Sequence, residues 1–278
     1  MYRSVSFGAI NANPGEGLEA AVEMAKKYGF MGIESHPGQI RSYGEQKTKE
    51  LLASNGMVIS GFGLPVHPIR SSEKEWQKGI EEMPSQAKTM KSVGTNRCCI
   101  WLENASDNLG YDENFEFHVE RLSPFAKILE DFDIRLGLEF IGTKSMRNSK
   151  KHEFIYTAEK MLELARACGP NCGLLFDAWH WYMSGGDKEV FSQIGDQKYI
   201  VNVHINDAPG ENRETMPDSP RALPGETGII DIKFFMDGLK RLGYDGPVMA
   251  EPFSPILAAM SNADEIMALV RSSFDKIW

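Results

Sequence analysis

The chain has few cysteines, few histidines and no long apolar run, and it is short of positive charge. Four cysteines among 278 residues rule out a disulfide-built scaffold. Cys98 and Cys99 are adjacent in a strand-like run and should point to opposite faces. Cys168 and Cys172 bracket Gly-Pro-Asn, which is not the spacing of a zinc knuckle or a redox motif. They read as reduced structural thiols in a cytoplasmic protein. No apolar stretch approaches the roughly 20 residues of a membrane helix, and the opening MYRSVSFGAI lacks a signal-peptide core. Lysine and arginine total 30 against 39 aspartates and glutamates, a net charge of −9. That balance argues against a nucleic-acid or anionic-membrane partner. Six histidines limit how many metals the chain could hold. No GxGxxG opens a helix and no Walker A sequence occurs, so a phosphate-cradling nucleotide fold is disfavoured.

What is present is an alternation of short apolar runs with helical segments. The runs are Val5–Ile10, Met31–Glu34, Met57–Phe62, Arg97–Leu102, Ile134–Phe140, Cys172–Phe176, Tyr199–Ile205 and Pro247–Glu251. Between them, apolar residues recur at i, i+3, i+4 and i+7: Leu18, Ala21, Val22, Ala25; Leu122, Phe125, Ala126, Leu129; Ala158, Met161, Leu162, Ala165; Ala263, Ile266, Met267, Val270. Such stripes are helix faces that lie on a sheet. Gly29, Gly94, Gly169 and Gly243 follow helices and suit a left-handed stop before the next strand. Eight β/α units without a composition break predict one (β/α)₈ TIM-barrel domain, class α/β, over residues 1–278. One polar, Gly- and Pro-rich connection at about 206–230 interrupts the rhythm. It follows the seventh strand, so it should lie at the C-terminal face, where barrels carry their sites.

The strand ends carry the chemistry. The fifth to eighth runs finish with Glu139, Asp177, His204 and Glu251. Singly, each carboxylate could cap a helix and the histidine could be structural. Together, three carboxylates at one height would repel in a dry pocket unless a cation neutralised them. The set suits one divalent ion, with Mn²⁺ first and Mg²⁺, Co²⁺ or Zn²⁺ as alternatives. His67 ends the third run and Trp101 the fourth, and both face the same side. His36 is a further pocket candidate, as are the aromatics Trp179, Trp181 and Tyr182. Asp207 and Arg213 are loop residues of lower rank. His118 and His152 are expected to face solvent.

LEFIG at 138–142, LFDAWH at 175–180, VHIND at 203–207, LPGETGIID at 223–231 and AEPF at 250–253, taken in order, resemble the xylose isomerase-like TIM-barrel superfamily. Within it, the chain looks most like the sugar phosphate isomerase/epimerase group, which includes inosose isomerase and ketose 3-epimerases. The resemblance spans nearly the whole chain and is strongest from about Leu136 to Phe253. It implies that Glu139, Asp177, His204 and Glu251 bind one metal. It also implies that His180, Arg221 and Glu34 contact substrate, beside His67 and Trp101.

The expected activity is isomerisation or epimerisation of a sugar or cyclitol ketone through a metal-stabilised enediolate. Glu139 and Glu251 would act as the acid/base pair. A metal-dependent lyase of the same superfamily, acting on 3-dehydroshikimate or 3-oxo-C-glycosides, is the alternative, because enolate formation is shared. An endonuclease IV-like DNA-repair role is remote, because no histidine follows His204 and a three-metal cluster would need more. No glycine cradle for phosphate is evident, which favours a non-phosphorylated substrate. A homo-oligomer is compatible with the sequence, which does not specify one.

Overall fold

The structure, a computed structural model, describes residues 1–278. Eight strands close into a parallel barrel: β1 (Tyr2–Val5), β2 (Gly32–Glu34), β3 (Val58–Gly63), β4 (Arg97–Leu102), β5 (Arg135–Phe140), β6 (Cys172–Asp177), β7 (Ile200–Ile205) and β8 (Pro247–Ala250). Each strand pairs with the next in sequence, and β8 returns to β1 through Tyr2 opposite Pro247 and Arg3 opposite Val248. This is the α/β barrel that the alternating pattern predicts. Helices Gly17–Lys27, Tyr111–Glu130, Ala158–Cys168 and Ala263–Ile277 lay the expected apolar stripes on it. Of those stripe residues only Ala263 is incompletely buried. No helix is long and apolar enough to cross a membrane.

Two local expectations are corrected. The first strand is Tyr2–Val5, not Val5–Ile10. After Val5 the chain turns back, with the Ile10 N–H donating to Ser6 O at 3.3 Å and Asn11 at φ 56°. Ile10 is buried by packing and not by pairing, a distinction that periodicity cannot make. Gly29, Gly94 and Gly243 adopt positive φ, but Gly169 is extended, with φ 165° and ψ 160°.

Small side chains inside the barrel let the strands close around a filled centre. A Cβ on Gly137 would stand 3.0 Å from both Cys99 Sγ and Val201 Cβ. Below that layer, Arg97 Nη1 donates to Val201 O at 2.6 Å and Ser4 Oγ to Ser60 Oγ at 2.7 Å. The long 206–230 connection is folded back on itself. Asp207 and Ala222 exchange backbone hydrogen bonds at 2.9 and 2.8 Å. The fully buried Asp207 carboxylate accepts N–H groups from Ala208, Thr227, Gly228 and Ile230 at 2.7–3.0 Å.

Candidate metal centre and substrate cavity

Strand register brings four side chains to the C-terminal mouth. Asp177 on β6 pairs with His204 on β7, and Glu139 on β5 pairs with Trp101 on β4. Glu251 follows the last residue of β8. One ligand atom from each of Glu139, Asp177, His204 and Glu251 lies within 4.8 Å of the others, so the four could hold a metal ion. His204 Nδ1 stands 3.6 Å from Glu139 Oε1 and 3.5 Å from Glu251 Oε2. Both His204 Nδ1 and Glu139 Oε1 are buried and lack a hydrogen-bond partner. Burying such groups unpaired is costly. An acceptor set of three carboxylates and one imidazole, with two orphaned atoms 3.6 Å apart, fits a divalent cation.

Asp177 also has the alternative role weighed for it. Its Oδ1 accepts the Trp179 N–H at 2.8 Å and caps the short helix Ala178–Met183. A strand that ends directly in a helix lets one aspartate serve both as cap and as inward ligand.

Arg221 comes from the long loop and is 3% exposed. Its Nη1 donates to Asp177 Oδ2 at 2.9 Å and Glu251 Oε2 at 2.8 Å, while Nε and Nη2 donate to Asp218 O and Oδ2 at 3.0 and 3.2 Å. The guanidinium is therefore spent mainly on the protein's own carboxylates. Asp218 Oδ1 in turn accepts from Thr143 Oγ1 at 2.8 Å and Trp179 Nε1 at 3.1 Å. Asp218 had no detectable sequence signal, because its position depends on the path of an aperiodic loop.

The titratable groups are pushed apart. Burial, with the charges of Glu251 and Asp177, raises the Glu139 carboxyl to about 8 against the opposing pull of His204. Burial would raise Glu251 too, but His204 and Arg221 outweigh it and hold it low. Burial opposes charge on His204, yet Glu251 and Glu139 lift it well above the ordinary histidine range. His180 is lowered by burial and by Arg221, so it is neutral at pH 7. Its Nδ1 accepts the Gly142 N–H at 3.2 Å. That bond leaves Nε2 as the ring atom turned to the cluster, 3.4 Å from Arg221 Nη2 and 4.0 Å from both Glu139 Oε1 and Asp177 Oδ2. The close approach requires glycine, since a Cβ on Gly142 would stand 2.2 Å from His180 O.

Two adjoining cavities meet at this cluster and share Trp101, Glu139 and Glu251. One, of about 440 Å³, reaches Glu34, His67, Cys99 and His204. The other, of about 270 Å³, is bounded by Ile141, Met146, His180, Asp218, Arg221 and Phe253. Each of the nine residue positions expected at the site except Asp177 borders one or both. His67 packs edge-on to Trp101 at 5.0 Å, and both its ring nitrogens are buried without partners. Its pKa is lowered by burial and by Arg70.

Other candidates lie elsewhere. His36 is exposed and caps helix Pro37–Tyr43 through the Gln39 N–H. Trp179 and Trp181 are buried, Trp179 bonded to Asp218 of the loop and Trp181 stacked on Phe234 at 5.7 Å. Arg213 lies over the Tyr182 ring at 4.0 Å and donates to Gly185 O. His152 is exposed as expected, but His118 is 1% exposed.

Known proteins share sequence and fold with this chain. The chain is 24% identical over 244 residues to an inosose isomerase of Bacillus velezensis, covering 86% of this chain and 84% of that protein. It is 27% identical over 258 residues to a ketose 3-epimerase of Arthrobacter globiformis, covering 88% and 80%. The solved IolI protein with a bound zinc atom superposes with a TM-score of 0.82 at 21% identity, covering 100% of this chain and 98% of that one. The family model described as xylose isomerase-like TIM barrel matches residues 22–273. The chain belongs to the xylose isomerase-like TIM-barrel family.

Proposed function

We propose that the protein is a divalent-metal-dependent isomerase or epimerase of a neutral keto-sugar or inosose. The observation that carries this reading is the convergence of four ligand atoms within 4.8 Å, two of them buried and unpartnered, where two cavities meet. The proposed ligands are Glu139, Asp177, His204 and Glu251, with Mn²⁺ as the first candidate and Mg²⁺, Co²⁺ or Zn²⁺ sharing the same donor set. Charge arithmetic supports a 2+ ion: Glu139, Asp177, Glu251 and Asp218 face the single Arg221 guanidinium, and the ion lowers the net charge from −3 to −1 with His204 neutral. When bound, the metal would polarise the substrate carbonyl and an adjacent hydroxyl oxygen.

The protein's own groups do the rest. Glu139 and Glu251 flank His204 Nδ1 from β5 and from the end of β8. One carboxylate takes the proton from the carbon beside the carbonyl and the other returns it. Return to the same carbon from the opposite face gives an epimer, and return to the neighbouring carbon gives an isomer. His180 Nε2, turned to the cluster 4.0 Å from Glu139 Oε1, contacts the substrate oxygen that gains charge, and the Gly142 N–H holds the ring by Nδ1. Trp101, His67 and Glu34 line the larger cavity and contact the rest of the substrate.

Neutral substrates are favoured because the cavities offer no uncommitted cation. Arg221 is engaged by Asp177, Glu251 and Asp218. At the rim, Arg70 and Lys150 both pair with Glu103. Away from the metal, a phosphate or carboxylate would find no free side-chain cation, which weighs against a lyase acting on 3-dehydroshikimate. A lyase acting on a neutral 3-oxo-glycoside uses the same first proton transfer and is separated by its products.

The deciding experiment incubates the Mn²⁺-loaded protein with keto-sugars and inososes in D₂O, followed by NMR. Metal-dependent exchange of the C–H beside the carbonyl, with a new epimer or isomer, is the expected result. Absence of exchange from every neutral ketone at full metal occupancy would refute the reading. Release of a leaving group would move it to the lyases.

A further inference from the structure

Asn206 is fully buried one residue beyond β7. It follows His204 by two positions, so its side chain shares the inward direction. Strands β6 and β8 flank β7, and the Asn206 amide reaches both. Its Nδ2 donates to Asp177 Oδ1 at 3.2 Å and lies 3.4 Å from Oδ2. Its Oδ1 accepts the backbone N–H of Glu251 at 2.9 Å. These partners fix the amide's orientation, because only the oxygen can accept an N–H and only the nitrogen can donate to a carboxylate.

Arg221 contacts the Asp177 and Glu251 carboxylates from the loop as a cation, whereas Asn206 holds the Asp177 carboxylate and the Glu251 backbone. Asn206 acts from the barrel wall and adds no charge. A carboxylate here would place a fourth negative group against Asp177. An apolar residue would leave the Glu251 N–H unpaired and free the Asp177 carboxylate to rotate. Partners of this kind orient metal ligands and commonly change metal affinity by roughly 10–100-fold when removed.

We propose that Asn206 is a positioning residue that sets the spacing of Asp177 and Glu251 at which they hold the cation. This rests on the metal reading given above.

The test compares Mn²⁺ affinity, by titration calorimetry, with the melting temperature of the metal-free protein. Asn206→Ala should weaken Mn²⁺ binding by about 10–100-fold. Asn202→Ala is the control. Asn202 is a buried amide on the same strand, its Oδ1 accepts the Val203 N–H at 2.8 Å, and its Nδ2 has no partner. That variant should lower the melting temperature while keeping Mn²⁺ affinity within about threefold of the parent, well inside the range a lost ligand-orienting contact produces. If Asn206→Ala does not fold, Asn206→Ser, which keeps a hydroxyl in the space, carries the same expectation. A folded Asn206 variant that binds Mn²⁺ within about threefold of the parent would overturn the proposal and leave the metal reading intact. A parent protein that binds no Mn²⁺, Mg²⁺, Co²⁺ or Zn²⁺ would overturn both.

Discussion

Loading the four-residue cluster with Mn²⁺ at pH 7 should expel about two protons, because metal ligands must be deprotonated. The Glu139 carboxyl is raised to about 8, mainly by burial. One pH unit below that value about nine molecules in ten carry its proton. His204 is also protonated before loading: burial opposes its charge, but Glu251 and Glu139 outweigh that effect. Glu251 is held low by His204 and Arg221 despite its burial, so it contributes none. The sign follows directly. Affinity rises with pH, by as much as roughly a hundredfold per unit while both protons must leave, with each proton worth about 1.4 kcal/mol per unit. Each proton already lost before loading removes about tenfold per unit from that slope. Calorimetry at pH 7 in buffers of different ionisation enthalpy counts the protons from the slope of apparent heat against buffer enthalpy. Release of less than about half a proton, or a Kd flat between pH 6 and 8, would refute the electrostatic account of the cluster.

Three further outcomes follow. Glu139→Gln and His204→Ala should each purify without stoichiometric metal, and full metal content by elemental analysis in both would remove them from the ligand set. Arg221→Ala should lower kcat more than it raises KM and cost about 3–5 kcal/mol of stability, because it strands the buried Asp177 carboxylate; a pure KM effect on an equally stable protein would make Arg221 a substrate contact instead. Gly142→Ala should push the His180 helix away, lowering kcat and costing about 1–3 kcal/mol by overpacking, with denaturant unfolding and steady-state kinetics as the measurements.

The strand ends were readable because a buried parallel strand is a continuous apolar run, and a polar residue that stops it must face the mouth or cap the next helix. Glu139, Asp177, His204 and Glu251 all stand out by that rule. Asn206 could have been found the same way, since it shares parity with His204. Arg221 was legible through family resemblance, but its engagement with Asp177, Glu251 and Asp218 was not. A loop's path fixes those contacts, and no period encodes it. His118 shows a different failure. Helix Tyr111–Glu130 buries Asn114, His118 and Arg121 along one side. The His118 ring packs on Phe154 at 4.6 Å and its Nδ1 bonds Asn114 O at 2.7 Å. A stripe search that counts only apolar residues cannot see a face built from polar side chains with internal partners.

The four amides gathered by Asp207 have a consequence for how this barrel could diversify. They tie Ala208 to Thr227, Gly228 and Ile230, so the long connection behaves as a short closed ring with an excursion. Most of the excursion from Pro209 to Thr215 is exposed, and doubling the length of such a segment costs only about 0.6 kcal/mol in closure entropy. Residues could be added or exchanged there while the knot at Asp207 keeps Arg221 in place. The outer surface that this excursion forms with Tyr182 could therefore be reshaped on an evolutionary timescale without disturbing the metal cluster.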